Sequence, residues 1–252
     1  MPLTISSYVP FGSKFPSQYP SIIYGTEVFE VNDNLRQLAI GFAKTAQLND
    51  SDTAKAYRAS YLNTNTYAAG SQAPSVVACD VATSDVYYSG TLLSEAFENT
   101  TRLFTNGSGV YCNSAQEDNA TLESLLRAAL AKLVDFSRII IMRTASDFDR
   151  PYDGEPATVN LLFADTLQGA FEPAVANIYL AGVKVVEGIL QGWRSTFEKG
   201  VPASNYIGDI LGSLGERPDF GNPAAETGAL KKRGLGGRKG KRTVMGRLLR
   251  SL

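Results

Sequence analysis

Histidine is absent from all 252 residues. With it go Ser-His-Asp and Cys-His activation of a nucleophile and the common imidazole zinc sites. Any proton transfer falls to Asp, Glu, Tyr or Lys, and neither a metal nor an organic cofactor is expected. Long apolar runs are lacking as well. The stretch Ile139-Ile140-Ile141-Met142 falls far short of the ~18 residues of a membrane helix, so it reads as a buried strand and no transmembrane helix is expected. Met1-Pro2-Leu3-Thr4 has neither the basic nor the apolar region of a signal peptide. Cysteine is scarce: Cys79 and Cys112 can pair, but with no evidence of compartment two buried thiols are the expected state.

What is present is unevenly spread. The net charge of −1 hides a tail, Lys231–Leu252, that holds nine of the 24 basic residues and no acid. That leaves 15 basic against 25 acidic residues in the first 230. So acidic a body does not read as a nucleic-acid binder, which must neutralise phosphates. The tail has no core-forming pattern and reads as disordered over 221–252. Four Asn-x-Ser/Thr triplets, at Asn49, Asn99, Asn106 and Asn119, hint at a secretory ancestor.

Between a Pro-, Ser- and Tyr-rich lead-in (residues 1–32) and the tail, strands alternate with helices. Leu35, Leu38, Ala39, Phe42, Ala43 and Ala46 recur at helical spacing behind Asn32, and a second helix starts near Asp50-Ser51. Strands are predicted over Ser75–Thr83, Gly107–Cys112 and Ser137–Met142, with helices between them marked by Leu92, Leu93, Ala96 and Phe97 and by Leu122, Leu125, Leu126, Ala129 and Leu133. Ser114-Ala115-Gln116-Glu117 has the form of a capping box. A last helix runs from about Glu172 to Lys199, with Trp193 in the core. This alternation indicates one α/β domain over 33–220, a three-layer α/β/α sandwich.

In open α/β sheets ligands sit at the carboxyl ends of the strands. Asp85 follows the first strand, in Thr83-Ser84-Asp85-Val86-Tyr87-Tyr88, and Asp147 follows the third, beside Ser146. Glu117 opens the helix between them, as ligand or as helix cap. Tyr87 and Tyr88 are either a platform for a base or core and rim aromatics. Asp149-Arg150 reads as a surface ion pair, and Asp80 as a buried acid within its strand. Such acids and aromatics suit a heterocycle bearing a hydroxylated sugar.

Four blocks, Cys79–Asp85, Asn106–Cys112, Gln116–Glu123 and Met142–Pro151, together make the chain resemble the fungal and bacterial purine nucleoside permease family. The likeness runs from Tyr24 to about Asp219. That family in turn resembles the nucleoside phosphorylase and methylthioadenosine nucleosidase superfamily. The resemblance implies a purine nucleoside or nucleobase ligand and uptake across a membrane, or as the alternative an enzyme cleaving the N-glycosidic bond. It implies that Ser146 contacts the purine and that Asp147 donates a proton toward its five-membered ring. It places Asp85, Tyr87 and Tyr88 at the base, and Glu117 and Asn119 at the ribose hydroxyls. It also implies that the chain matches the C-terminal portion of a longer, homo-oligomeric protein. The other half of that protein carries a Gly-rich loop for phosphate or water, and a piece without it is inactive unless a partner completes it.

Deleting Lys231–Leu252 is therefore expected to leave the thermal unfolding midpoint nearly unchanged. A large fall in a calorimetric scan would show instead that the basic tail packs on the acidic body.

Overall fold

The computed structural model describes residues 9–63, 67–84 and 86–220. The basic tail and Asp85 lie outside the described residues. The chain is mixed α/β. Its strands are β1 (Phe29–Glu30), β2 (Asp80–Thr83), β3 (Tyr111–Ala115) and β4 (Gly208–Asp209). The longer helices are α1 (Asp33–Ala43), α2 (Asp52–Ala59), α3 (Thr91–Phe104) and α4 (Asp118–Leu130), then the short α5 (Ala157–Leu162) and α6 (Ala164–Leu167), and finally α7 (Phe171–Gln191). Strand β1 pairs antiparallel with β4, and β2 pairs parallel with β3.

Helix α1 begins where the sequence predicts. Asn32, wholly buried, accepts from the backbone N–H of Leu35 and donates to the carbonyls of Ser137 and Val201. The N-cap thus satisfies an orphan helix donor and ties the helix start to two distant segments. Ser51 caps α2 in the same way, its Oγ accepting from Ala54 at 2.9 Å. Ala39 and Ala43 of α1 pack on Ala181 and Val185 of α7, with Phe42 lying where Gly188 leaves room for its ring. A second cluster joins Leu122 and Leu126 of α4 to Phe136, and a third joins Phe104 to Tyr206, Ile210 and Phe220. Tyr19, Ile23 and Val28 pack on the third cluster, so the irregular lead-in contributes to the core.

Several expectations need correction. Only the last four residues of Ser75–Thr83 form a strand, and the second strand starts at Tyr111 rather than Gly107. The apolar stretch Ser137–Met142 forms no ladder. A 3₁₀ turn at Phe136–Arg138 leads into residues 139–145, which have no strand partner. Among the described residues, the backbones of 75–78 and 139–145 make no hydrogen bond. Ser114 lies in β3 and Glu117, at φ 71°, makes no side-chain cap, so the four residues are a strand-to-helix turn and not a capping box. Leu92, Leu93 and Leu133 are exposed, because α3 turns Ser94 and Ala96 inward and α4 ends before Leu133. Trp193 is 44% exposed, since α7 ends at Gln191 and a wider π turn over Trp193–Phe197 swings Phe197 into the core instead. Asp80 is half-exposed, held by Arg36 and the Val110 N–H.

Cys79 and Cys112 are joined in a disulfide, their Cα atoms 6.0 Å apart, in place of the two thiols expected. The register of β2 against β3 shifts between Asp80 and Val81, so Asp80 faces Tyr111 while Val81 faces Asn113. The extra residue in this bulge is Cys112, which bulge geometry leaves unpaired in the ladder and which meets Cys79. Helix α7 is long and apolar enough to cross a membrane by length and composition, which corrects the expectation that no segment is. Uninterrupted apolar runs miss it because Lys184 and Glu187 break the sequence. One of its faces carries the core residues Ala174, Ala181 and Val185.

Asp50 and Arg58 form a two-bonded pair at 2.9 and 2.7 Å, both side chains largely buried. The guanidinium of Arg58 holds the Asp50 carboxyl below its ordinary range. A depressed carboxylate contributes stability above its unfolded value, about 3.9, that is lost as pH falls through the lower folded value. Asp50→Asn is expected to lose about 1.5–3 kcal/mol at neutral pH and to show a shallower acid limb in urea unfolding. Equal stability of the two proteins at pH 7 would contradict this.

Candidate functional site

Parallel pairing sends the carboxyl ends of β2 and β3 to one edge, and the residues that follow, 84 and 86–88 after β2 and 116–118 after β3, emerge there together. The loop after residues 139–145 comes to the same edge. Asp118, buried at the start of α4, is paired with Arg143, which fixes that segment beside the β3–α4 turn. Between residues 75–79 and 139–145 a cleft of about 830 Å³ opens, and its wall includes Ser84, Tyr87, Ser146 and Asp147.

Three predicted site residues meet at this edge. The Ser146 hydroxyl donates to one oxygen of Asp147 at 2.7 Å, and the Tyr87 hydroxyl donates to the other at 3.2 Å. Tyr87 is 61% exposed. With a hydroxyl on each oxygen, Asp147 is arranged as an acceptor for further N–H or O–H groups.

The other predicted residues have different settings. Tyr88 is buried; its ring stacks on Phe97 with centroids 4.4 Å apart, and its hydroxyl bonds Tyr111 at 2.6 Å. Tyr111 in turn donates to Asp149 at 2.6 Å. Burial and the Asp149 carboxylate both raise the Tyr111 hydroxyl's pKa. Asp149 and Arg150 pair at 3.4 Å with Arg150 largely buried. This corrects the reading of them as a surface pair, because Asp149 anchors Tyr111 and its backbone carbonyl accepts from Gly90 and Ser94. Glu117 is exposed in the left-handed conformation, a strained state for a side chain with a Cβ. Asn119 donates to the Thr26 carbonyl at 2.6 Å. Neither Glu117 nor Asn119 lines the cleft.

Two residues that periodicity gives no reason to select hold the Asp147 loop in place. Phe148, next in the chain, donates its N–H to Gln168 Oε1 at 2.8 Å, and its carbonyl accepts from Asn160 Nδ2 at 2.7 Å. Gln168 and Asn160 bond each other at 2.7 Å, and both are buried. Asn160 also binds Ser89 Oγ and accepts from Tyr57. The Phe148 ring packs on Tyr61 at 4.4 Å, and the Tyr61 hydroxyl reaches the Arg150 carbonyl. The only sequence signal is Asn160 among the apolar residues of α5; Gln168, which follows α6, carries none. Among the described residues, no group of His, Cys, Asp and Glu is placed to hold a metal ion.

Residues 3–202 match the family described as Purine nucleoside permease (NUP). A protein named "Purine nucleoside permease" from Candida albicans is 42% identical over 228 residues, which cover 88% of this chain and 54% of that protein. A "Probable purine nucleoside permease" from Schizosaccharomyces pombe is 36% identical over 183 residues, covering 72% of this chain and 51% of the relative. The chain thus spans about half the length of the curated relatives it matches. No solved structure matches.

Gln168→Leu would leave the Phe148 N–H without its partner and take from the Asn160 side-chain oxygen one of its two donors, the other being Tyr57. Each buried unsatisfied group costs about 1–3 kcal/mol, so chemical denaturation is expected to show a loss in that range or above. Wild-type stability in this variant would mean that the clamp is not what holds the loop.

Proposed function

Since the chain belongs to the purine nucleoside permease family, we propose that it supplies the purine-nucleoside-recognising portion of a nucleoside transport protein. The observation that carries this reading is the group of Tyr87, Ser146 and Asp147 at the mouth of the cleft. It lies at the carboxyl ends of parallel strands, where α/β folds take their ligands. The cleft's volume is within the roughly 300–1,000 Å³ of small-molecule sites. In this reading the Asp147 carboxylate accepts from the purine N–H groups and Ser146 orients the carboxylate. Tyr87 offers its ring to the base, Asp85 recognises the base with it, and Glu117 and Asn119 take the sugar hydroxyls.

The cleft also bears on the architecture. Residues 75–78 and 140–145 line it, and among the described residues their backbones make no hydrogen bond, whereas buried strands do not leave such groups unpaired. Strands supplied by the half of the family chain with no counterpart here would pair with both edges and complete a phosphorylase-like three-layer sandwich. A phosphate-binding loop, in this reading, would come from the same half, and homo-oligomers would be assembled by the whole protein. Cleavage of the N-glycosidic bond is the second reading. It requires a proton on Asp147 to pass to the base, whereas both Asp147 oxygens already receive hydroxyl protons. The geometry favours binding over turnover.

Calorimetric titration with inosine and adenosine tests the proposal, on this chain and on a fusion with the unmatched half of the Candida albicans relative. Asp147→Asn is expected to weaken binding by about 1.5–3 kcal/mol, the value of one charged hydrogen bond, or roughly 10- to 150-fold. Equal affinity of the wild type and Asp147→Asn in the fusion would overturn the assignment. Release of free base during the titration would favour the enzymatic reading.

A further inference from the structure

We propose that Asn106 carries an N-linked glycan, added in an oxidising compartment of the secretory route where the Cys79–Cys112 disulfide also closes. Two independent observations point there. The disulfide joins residues 33 apart in sequence, and such bonds persist in secreted and luminal proteins rather than in the reducing cytosol. The second observation is how the fold treats the four Asn-x-Ser/Thr triplets.

Three of them are encumbered. Asn99 lies in the middle of α3 and is half-buried. The Asn119 side-chain amide, the group a glycan would occupy, donates to the Thr26 carbonyl. Asn49 is exposed, but its backbone N–H and carbonyl are both bound by the buried Asn177 side chain, and Ser51 of its triplet caps α2.

Asn106-Gly107-Ser108 differs. Helix α3 ends in a turn in which Gly107 donates to the Arg102 carbonyl at 2.7 Å and Asn106 to the Leu103 carbonyl at 3.4 Å. This is the Schellman arrangement, with Asn106 in its left-handed position at φ 52°. The turn throws the Asn106 side chain off the helix end. Residues 106–108 are all exposed, and the Asn106 amide has no partner among the described residues. Around Gly107 there is nothing within 4 Å of where a Cβ would stand, which leaves room for a sugar. The Ser108 hydroxyl donates to the Thr105 carbonyl at 2.7 Å and so belongs to the turn, while the Asn106 side chain, the group that takes the sugar, projects from it.

The chemistry is that of luminal glycosyl transfer. The Asn106 amide nitrogen forms a bond to the anomeric carbon of an oligosaccharide on a lipid pyrophosphate. The bond from that carbon to pyrophosphate oxygen breaks, the lipid pyrophosphate leaves with the electron pair, and the amide proton passes to a base. The two thiols give up two electrons and two protons to a disulfide-donating oxidoreductase.

The test has two arms. In the first, the protein is isolated from the cells that make it and treated with a peptide N-glycanase in heavy-oxygen water, which marks any carrier asparagine as labelled aspartate in peptide mass spectra. Free thiols are counted in parallel by alkylation. Label at position 106 and no alkylated cysteine are expected; an unlabelled Asn106, or alkylation of Cys79 and Cys112, overturns the proposal. In the second arm, the chain is directed into the yeast secretory route as wild type, Ser108→Ala and Asn106→Gly. The glycine variant keeps the left-handed turn and the alanine variant keeps Asn106. Both are expected to lose a glycan-sized, glycanase-sensitive mobility shift; Asn106→Gly keeps the wild-type unfolding midpoint measured after deglycosylation, whereas Ser108→Ala also gives up the bond to the Thr105 carbonyl and falls slightly. A shift that persists in both variants, or a glycan found at Asn49 with Asn106 bare, overturns the site assignment.

Discussion

The parallel pairing of β2 with β3 sets where the rest of the site falls. Parallel strands carry their carboxyl ends to the same edge, so residues 86–88 and 116–118 must emerge side by side. Four paired residues are few to hold that geometry. The Cys79–Cys112 disulfide closes the pair at its amino end, and Asp80 adds a side-chain bond to the Val110 N–H at 2.7 Å. The bulge that takes up Cys112 connects these features: without the extra residue the sulfur would not meet Cys79, and with it the remaining register delivers Thr83 opposite Ala115.

The third wall of the site rests on buried amides. Residues 139–145 have no ladder of their own, so the position of Asp147 depends on what grips the chain at either end. Arg143 reaches Asp118 on one side, and Asn160 and Gln168 clasp Phe148 on the other. A side chain that satisfies a buried backbone group here does the work that a neighbouring strand does elsewhere. Asp149 extends the same logic by holding Tyr111 and, through it, Tyr88. A family chain about twice as long is consistent with a cleft whose edges remain open to further pairing.

The helices were legible in the sequence because periodicity and caps are local. Asn32 and Ser51 announce α1 and α2 by chemistry that acts within three residues. Strand lengths were not legible, because an apolar run such as Ile139–Met142 acquires a ladder only if a distant segment is present to pair with it. Asp147, Ser146 and Tyr87 stand out in the sequence because they follow segments that read as strands, although only the one before Tyr87 forms one, whereas Asn160 and Gln168 do not stand out. Their role comes from meeting Phe148, 12 and 20 residues away, through a loop whose path no pattern encodes. The fate of Cys79 and Cys112 was equally closed to spacing alone, since it turns on a one-residue bulge. Glu117 was legible as a residue of interest but for the wrong reason: a capping box assumes a helix start at Ser114, where β3 is still running.

The central claim is that a purine nucleoside binds at the shared edge of β2, β3 and the Asp147 loop. Amide hydrogen exchange followed by mass spectrometry, with and without saturating inosine, addresses it without any substitution. The account predicts slowed exchange in residues 86–88 and 146–149 with little change on the outer face of α7. Inosine that binds while leaving both of those segments unprotected would contradict it.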